Sequence, residues 1–153
     1  MLRHLQTIVG KNIDAQKTAK TDMKRGTFVS IDEEKGQLVI ATATKDVVGI
    51  AVRDVVVDED VARGTQISEL SDSQDLIKAG EFAGVEVPQK GERYATTEFG
   101  DTGALPEGDA KVGKKLEVSN GKLVKAELES TSNIISLGFM QIAGTKYLGF
   151  KFV

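Results

Sequence analysis

Strand-like alternation of hydrophobic and polar positions begins at Gly26. Residues 27–31 and 37–43 are rich in β-forming residues and are separated by a charged turn that ends in Gly36. Two such runs around a short glycine-containing turn predict a β-hairpin. Residues 47–52 predict a further strand, and Gly49 inside it indicates a bulge or a close backbone crossing.

The same pattern returns in the last third of the chain. Residues 115–119 and 122–125 flank Asn120-Gly121, and both central residues of a type I′ turn need positive φ, so this pair predicts a tight hairpin. Residues 134–140 and 147–153 predict two more strands, joined by a turn near Gly144. Phe150 and Phe152 share one strand face, which indicates that the final strand is packed.

Between these regions, residues 71–80 carry a helix-start signal. Ser71 and Gln74 have the spacing of a capping box, and Gly80 would end the segment. One short helix is therefore predicted here.

Residues 1–25 differ from the rest. Leu2, Leu5, Ile8 and Val9 have helical spacing, but a helix this short is marginal in water. Residues 11–25 are polar and lysine-rich without apolar periodicity. We therefore predict an N-terminal arm at residues 1–25 and a single β domain at residues 26–153.

An internal echo links residues 26–52 and 113–140. Each contains a glycine, a strand, a tight turn, a second strand and then a strand interrupted by glycine. The echo indicates either a repeated hairpin-plus-strand unit or only the order common to antiparallel β proteins, since few residue identities are shared.

Short strands, few helix signals and glycine-rich turns predict an all-β fold. The expected architecture is a small antiparallel β-barrel, a β-tulip-like body or a sandwich, with an extended N-terminal arm and at most one short helix.

Charge separates the arm from the body. The chain has a net charge of −3, of which residues 1–25 contribute +4 and the remainder −7. A basic arm on an acidic body indicates an intermolecular contact, and the arm has no aromatic residue for stacking on bases. The predicted partner is an acidic protein surface, with no direct contact to nucleic acid or membrane. The candidate partner-binding residues are Leu2, Leu5, Ile8, Val9, Lys11, Lys17, Lys20, Lys24 and Arg25.

Composition excludes several chemistries. The chain has no cysteine and one histidine, so disulfides, thiolate nucleophiles and zinc ribbons are excluded and a histidine-based triad is disfavoured. No phosphate loop, dinucleotide motif or hydrolase elbow occurs. We predict no catalytic, cofactor-binding or metal-binding residues. The acidic run at residues 58–60 is interpreted as a solvated turn. Five further acids are interpreted as surface groups rather than a glycosidase pair: Glu81, Glu86, Glu92, Glu98 and Asp101.

Four segments carry a resemblance to a known group of proteins: residues 24–29 (KRGTFV), 48–51 (VGIA), 90–96 (KGERYAT) and 113–123 (GKKLEVSNGKL). In their order, the chain resembles the head decoration, or cement, proteins of tailed bacteriophages. The resemblance spans most of residues 20–153 and rests on turn and strand patterns.

This resemblance implies a non-enzymatic virion protein, made in the host cytoplasm, that binds the outer surface of the capsid. The implied partner is the major capsid protein, and the implied state is a homo-oligomer such as a trimer. The N-terminal arm would contact neighbouring subunits.

Two other classes compete with this interpretation. A carbohydrate- or cell-surface-binding β-module of a fibre or surface assembly is disfavoured because the chain has no tryptophan and only two tyrosines. A small enzyme that uses the scattered carboxylates ranks lowest.

Overall fold

The computed structural model describes residues 2–6, 13–52, 75–100 and 105–153, most of which lie in strands, and the all-β prediction is confirmed. A single 3-10 turn, Thr44–Asp46, is the helical element with defined bounds in these residues. The strands are β1 Leu2–Gln6, β2 Ile13–Ala19, β3 Met23–Lys24, β4 Phe28–Asp32, β5 Gln37–Ile40, β6 Gly49–Val52, β7 Leu76–Ile77, β8 Phe82–Glu86, β9 Arg93–Thr96, β10 Lys115–Ser119, β11 Lys122–Lys125, β12 Ile134–Ile142 and β13 Thr145–Phe152.

Five strands close a barrel in the order β2-β5-β4-β6-β8. Four of its strand pairs are antiparallel, and the pair that joins β2 to β5 is parallel. We call these five strands the barrel unit. A two-stranded pair, β3 with β7, accompanies it.

A six-stranded sheet has the order β1-β9-β13-β12-β10-β11, with every strand pair antiparallel. We call strands β9 to β13 the sheet unit. Directly after β9, Phe99 forms a parallel bridge with Leu123 of β11. The Leu123 N–H donates to the Glu98 carbonyl at 3.0 Å and the Gly100 N–H donates to the Leu123 carbonyl at 2.8 Å. The far edge of the sheet is thereby bridged back to the chain beside β9.

The two units repeat one topology. In each, the first strand pairs with the fifth, the fifth with the fourth, the fourth with the second, and the second with the third. The third then contacts the first in parallel, through β2–β5 in the barrel unit and through the Phe99–Leu123 bridge in the sheet unit. The sequence echo falls on the second, third and fourth strands of both units, so it corresponds to a repeated arrangement.

The hairpin predictions are confirmed. Residues Val29 to Asp32 pair with Gln37 to Ile40, β10 pairs with β11, and β12 pairs with β13. Asn120 and Gly121 have φ of 47° and 75°, as a type I′ turn requires. Gly49 is also a close crossing, because a Cβ there would lie 2.5 Å from the Glu86 carbonyl oxygen.

The tip of the β10–β11 hairpin joins the two units. The Phe28 N–H donates to the Gly121 carbonyl at 2.9 Å, and the Gly121 N–H donates to the Ala41 carbonyl at 2.8 Å. The Val118 N–H donates to Thr44 Oγ1 at 2.7 Å. We call this set of contacts the seam.

The arm prediction is wrong for the described part of residues 1–25. Strand β1 pairs with β9 in the sheet, and β2 supplies two of the five barrel pairs. Leu2 is 1% exposed and belongs to the hydrophobic core that contains Phe28 and Phe150. The helical spacing of Leu2 and Leu5 is overridden because residues 2–6 pair with β9 along the edge of the sheet.

Of the short helix predicted for residues 71–80, the described part begins with Asp75, which is helical. Leu76 and Ile77 form strand β7, paired with Met23 and Lys24. Residues 71–74 lie outside the described residues.

Candidate functional site

The nine predicted partner-binding residues do not form one surface. Leu2 is buried, and Leu5 belongs to β1. Lys17 is half-buried on β2, Arg25 is half-buried after β3, and Lys20 and Lys24 are exposed. Ile8, Val9 and Lys11 lie outside the described residues. Of the set, Lys20 and Lys24 are the cations that the structure presents to solvent.

Arg25 is tied to the body by its backbone, and its side-chain Nε is buried. Its N–H donates to the Asp75 carbonyl at 2.8 Å, and the N–H of Gly26 donates to the Ala51 carbonyl at 2.8 Å. Both contacts tie the end of β3 to the body. The basic-glycine step at residues 25–26 is thus an entry into β4.

A buried polar centre joins the end of β8 to the start of β9. The Tyr94 hydroxyl lies 2.6 Å from Glu92 Oε2 and 2.8 Å from Glu86 Oε1. The Gln89 N–H also donates to Glu92 Oε2, at 2.8 Å. All three side chains of this centre are at most 1% exposed. The two carboxyl groups therefore meet at one phenol inside the protein.

The environment of Tyr94 keeps its hydroxyl protonated. Burial raises the pKa of Tyr94 far above its usual value, and the hydrogen bond to Glu92 and the charge of that carboxylate raise it further. A neutral phenol is a hydrogen-bond donor. The ring stacks on Phe150 at 5.5 Å and meets Phe152 edge-on at 6.2 Å, which fixes the hydroxyl in place.

This centre corrects the interpretation of the acids as surface groups. Glu86, Glu92 and Glu98 are 1%, 0% and 8% exposed. Glu86 lies on the face of β8 opposite Ala83 and Val85, in a strand that β2 and β6 flank, and its carboxyl reaches the Tyr94 hydroxyl. Glu81 is half-buried and accepts the Lys78 N–H at 2.9 Å. Asp101 lies outside the described residues.

The described residues offer little to a metal ion. Within them, no group of three or more histidine, aspartate or glutamate side chains is close enough to hold one. The acidic run at residues 58–60 lies outside the described residues. No helix among the described residues is long and apolar enough to cross a membrane.

Two larger clefts lie on the surface. One, of about 410 Å³, runs along the seam between Thr44 and the segment 130–133 and is lined mainly by hydroxyl and amide side chains. The other, of about 950 Å³, lies beside Leu128 and mixes three lysines with three acids. Lys125 in this cleft is paired with Asp109 at 3.1 Å, so its charges are partly matched.

The charged side chains that line a smaller cleft are all cationic. Lys90, Arg93 and Lys151 line a depression of about 250 Å³ together with Gly91, Phe152 and Val153. We call it the basic cleft. Arg93 lies directly opposite Lys151 in the β9–β13 ladder. Sequence reasoning missed this cleft because the two residues are far apart in the chain, and only the register of β9 against β13 brings them together.

Comparison of this chain with protein-family models, with curated proteins and with solved structures finds no match.

Proposed function

We propose that this chain is a non-enzymatic structural protein of a tailed-bacteriophage virion, which binds the outer surface of the capsid lattice and stabilises it. Its partner is the major capsid protein, and it works as a homo-oligomer on the lattice. The proposal rests on the sequence resemblance and on the role that the resembling segments have in the fold.

The observation that carries the proposal is where those segments lie. Residues 24–29 lead into β4, and residues 113–123 contain β10 and the hairpin tip whose Gly121 contacts Phe28 and Ala41. Two of the four resembling segments thus contribute Phe28, Val118 and Gly121 to the seam. Resembling segments that form strands and hairpins of the fold support a shared architecture more strongly than resembling segments in loops would.

The geometry suits a clamp. Two β units are held together by main-chain hydrogen bonds at the seam and by a core that draws Phe28 and Ile50 from one unit and Phe150 and Leu116 from the other. Such a body can rest on two neighbouring subunits without bending. Repeated copies on a symmetric shell would add avidity.

The fold changes the expected mechanism of attachment. Because residues 2–6 and 13–24 are built into the sheets, the body itself carries the contact, rather than an arm that becomes ordered on binding. The ordering entropy of a free arm is then not lost on attachment.

Co-sedimentation tests the proposal. Capsids assembled without this protein are mixed with the purified chain and pelleted, and we expect saturable binding and capsids that resist heat better than bare ones. Capsids already carrying the protein are the matched control and should take up little more. Absence of binding, together with binding to a glycan panel, would instead support a carbohydrate-binding module.

A further inference from the structure

We propose that the basic cleft is a docking site for acidic side chains of a partner protein. Under the proposed function, on which this assignment rests, that partner is the capsid subunit. The cleft brings Lys90, Arg93 and Lys151 together on one face of the β9–β13 ladder.

The cleft contains an unfavourable cross-strand pair. Residues directly opposite on neighbouring strands have Cβ atoms about 4.5–5.5 Å apart, and like charges there destabilise a sheet. Arg93 and Lys151 are such a pair. In the described part of the chain neither side chain forms an ion pair, and no acidic side chain lines the cleft. An acidic partner would relieve this repulsion.

The acid that precedes Arg93 in the sequence is turned away from these cations. Glu92 precedes Arg93 directly, but its carboxylate is fully buried and accepts hydrogen bonds from Tyr94 and Gln89. The alternation of the strand sends Glu92 inward and Arg93 outward. The positive charge therefore remains at the surface of a chain that is acidic overall.

The fold does not require the cation pair. The corresponding strands of the barrel unit, β2 and β8, pair Ile13 with Glu86, Asp14 with Val85, Lys17 with Ala83 and Thr18 with Phe82. No like-charged pair occurs among these registered positions. The same topology is thus built without the repulsion, which assigns the pair to binding rather than to folding.

Size and composition favour acidic side chains over other anions. The cleft is smaller than the roughly 300–1,000 Å³ typical of small-molecule sites. Phe152 in its wall is buried, so the cleft offers no exposed ring on which a base could stack.

The test compares the variant R93Q/K151Q with the control K35Q/K78Q. Lys35 and Lys78 are exposed and lie on turns of other regions, so both variants lose the same charge. In co-sedimentation with capsids that lack the protein, we expect R93Q/K151Q to bind about tenfold or more weakly and the control to bind as the wild type does. The wild-type affinity should fall as salt rises.

Thermal unfolding separates binding from folding. Removing the repulsion should leave the midpoint of R93Q/K151Q unchanged or raise it by about 1–3 °C. A weaker-binding variant with a clearly lower midpoint would overturn the proposal, since the cations would then support the fold. Capsid binding equal to that of the wild type would also overturn it, while leaving the proposed function intact.

Two soluble probes distinguish the sources of negative charge and cover the case in which capsids do not bind. Poly-glutamate and a single-stranded oligonucleotide of equal charge are titrated against wild type and R93Q/K151Q. Poly-glutamate binding that depends on Arg93 and Lys151 supports the cleft even if the capsid assay fails, in which case only the proposed function falls. Tighter, cleft-dependent binding of the oligonucleotide would contradict an acidic protein partner.

Discussion

The barrel unit and the sheet unit share one strand order but are filled differently. The core of the barrel unit consists mostly of small and medium aliphatic residues, among them Ala19, Ala51 and Ala83. The sheet unit contributes Tyr94, Phe150 and Phe152 to a second core, which also takes Phe28 from the barrel unit. In the barrel unit the parallel contact is a two-residue ladder, whereas in the sheet unit it is a single bridge.

This difference indicates what decides closure. Strand order is the same in the two units although their connections differ, since residues 143–144 alone join β12 to β13 whereas residues 53–81 separate β6 from β8. How tightly the strands close follows from the volume of the side chains between them, since the interior of a small barrel must be filled without voids or overlap. Small residues let the first unit close, and aromatic rings keep the second more open.

The largest predicted effect comes from deleting residues 1–25. Without β2 the barrel unit loses its pairs with β5 and β8, and we expect it not to fold, which removes most of the roughly 5–15 kcal/mol typical of a domain. Deleting only residues 1–6 is the control, because it takes an edge strand of the sheet and should leave a folded, less stable protein. The dispersion of amide chemical shifts in NMR spectra shows whether each deletion variant is folded. A fully dispersed spectrum for the longer deletion would restore the arm interpretation.

The next effect tests the filling of the two cores. Phe150 is fully buried and lies 5.6 Å from Phe28 and 5.5 Å from Tyr94, so Phe150→Ala should cost about 3–5 kcal/mol through the cavity it leaves. Ala51→Leu in the barrel unit should cost less, about 1–3 kcal/mol, through overpacking. Denaturant unfolding gives both values. A neutral Ala51→Leu would show that the barrel interior has room, against the volume argument.

The smallest effect concerns the polar centre between the units. Tyr94→Phe removes the phenol that two buried carboxyl groups contact, and we expect a loss of about 1–3 kcal/mol near neutral pH. Because the pKa of Tyr94 is raised in the folded protein, its neutral form stabilises the fold below about pH 10, where an unfolded tyrosine ionises. That stabilisation declines as the pH rises above this value. The difference in the free energy of unfolding between the wild type and Tyr94→Phe should therefore become smaller in strongly alkaline solution. A difference that stays constant with pH would contradict this role of the Tyr94 hydroxyl.

Much of the sheet unit could be predicted from sequence because its elements carry strong local signals. Asn120-Gly121 predicts the β10–β11 hairpin. Phe150 and Phe152 predict one packed face of the last strand, and they are 0% and 7% exposed. Phe82, which lies on strand β8, is instead 70% exposed. Strand location was thus easier to predict than which aromatic faces inward.

The first strand of the barrel unit, β2, could not be predicted because the core of this unit is built from small side chains. Ala19 faces inward on β2, and alanine has neither strand propensity nor much hydrophobic signal. A polar, lysine-rich segment with small inward residues therefore resembles a free arm in sequence. The buried polar centre was equally hidden, because Glu86 and Glu92 become internal only when β8 and β9 take their registers.

The seam has a consequence for how the chain folds. The β4–β5 and β10–β11 hairpins each form from neighbouring residues, which is fast. The Val118–Thr44 contact, in contrast, joins positions 74 residues apart. Loop closure of that length has to precede any gain from the contact. Docking of the β10–β11 tip onto the barrel is therefore a late step, and a ribosome must release most of the chain before the first unit meets the turn that caps it.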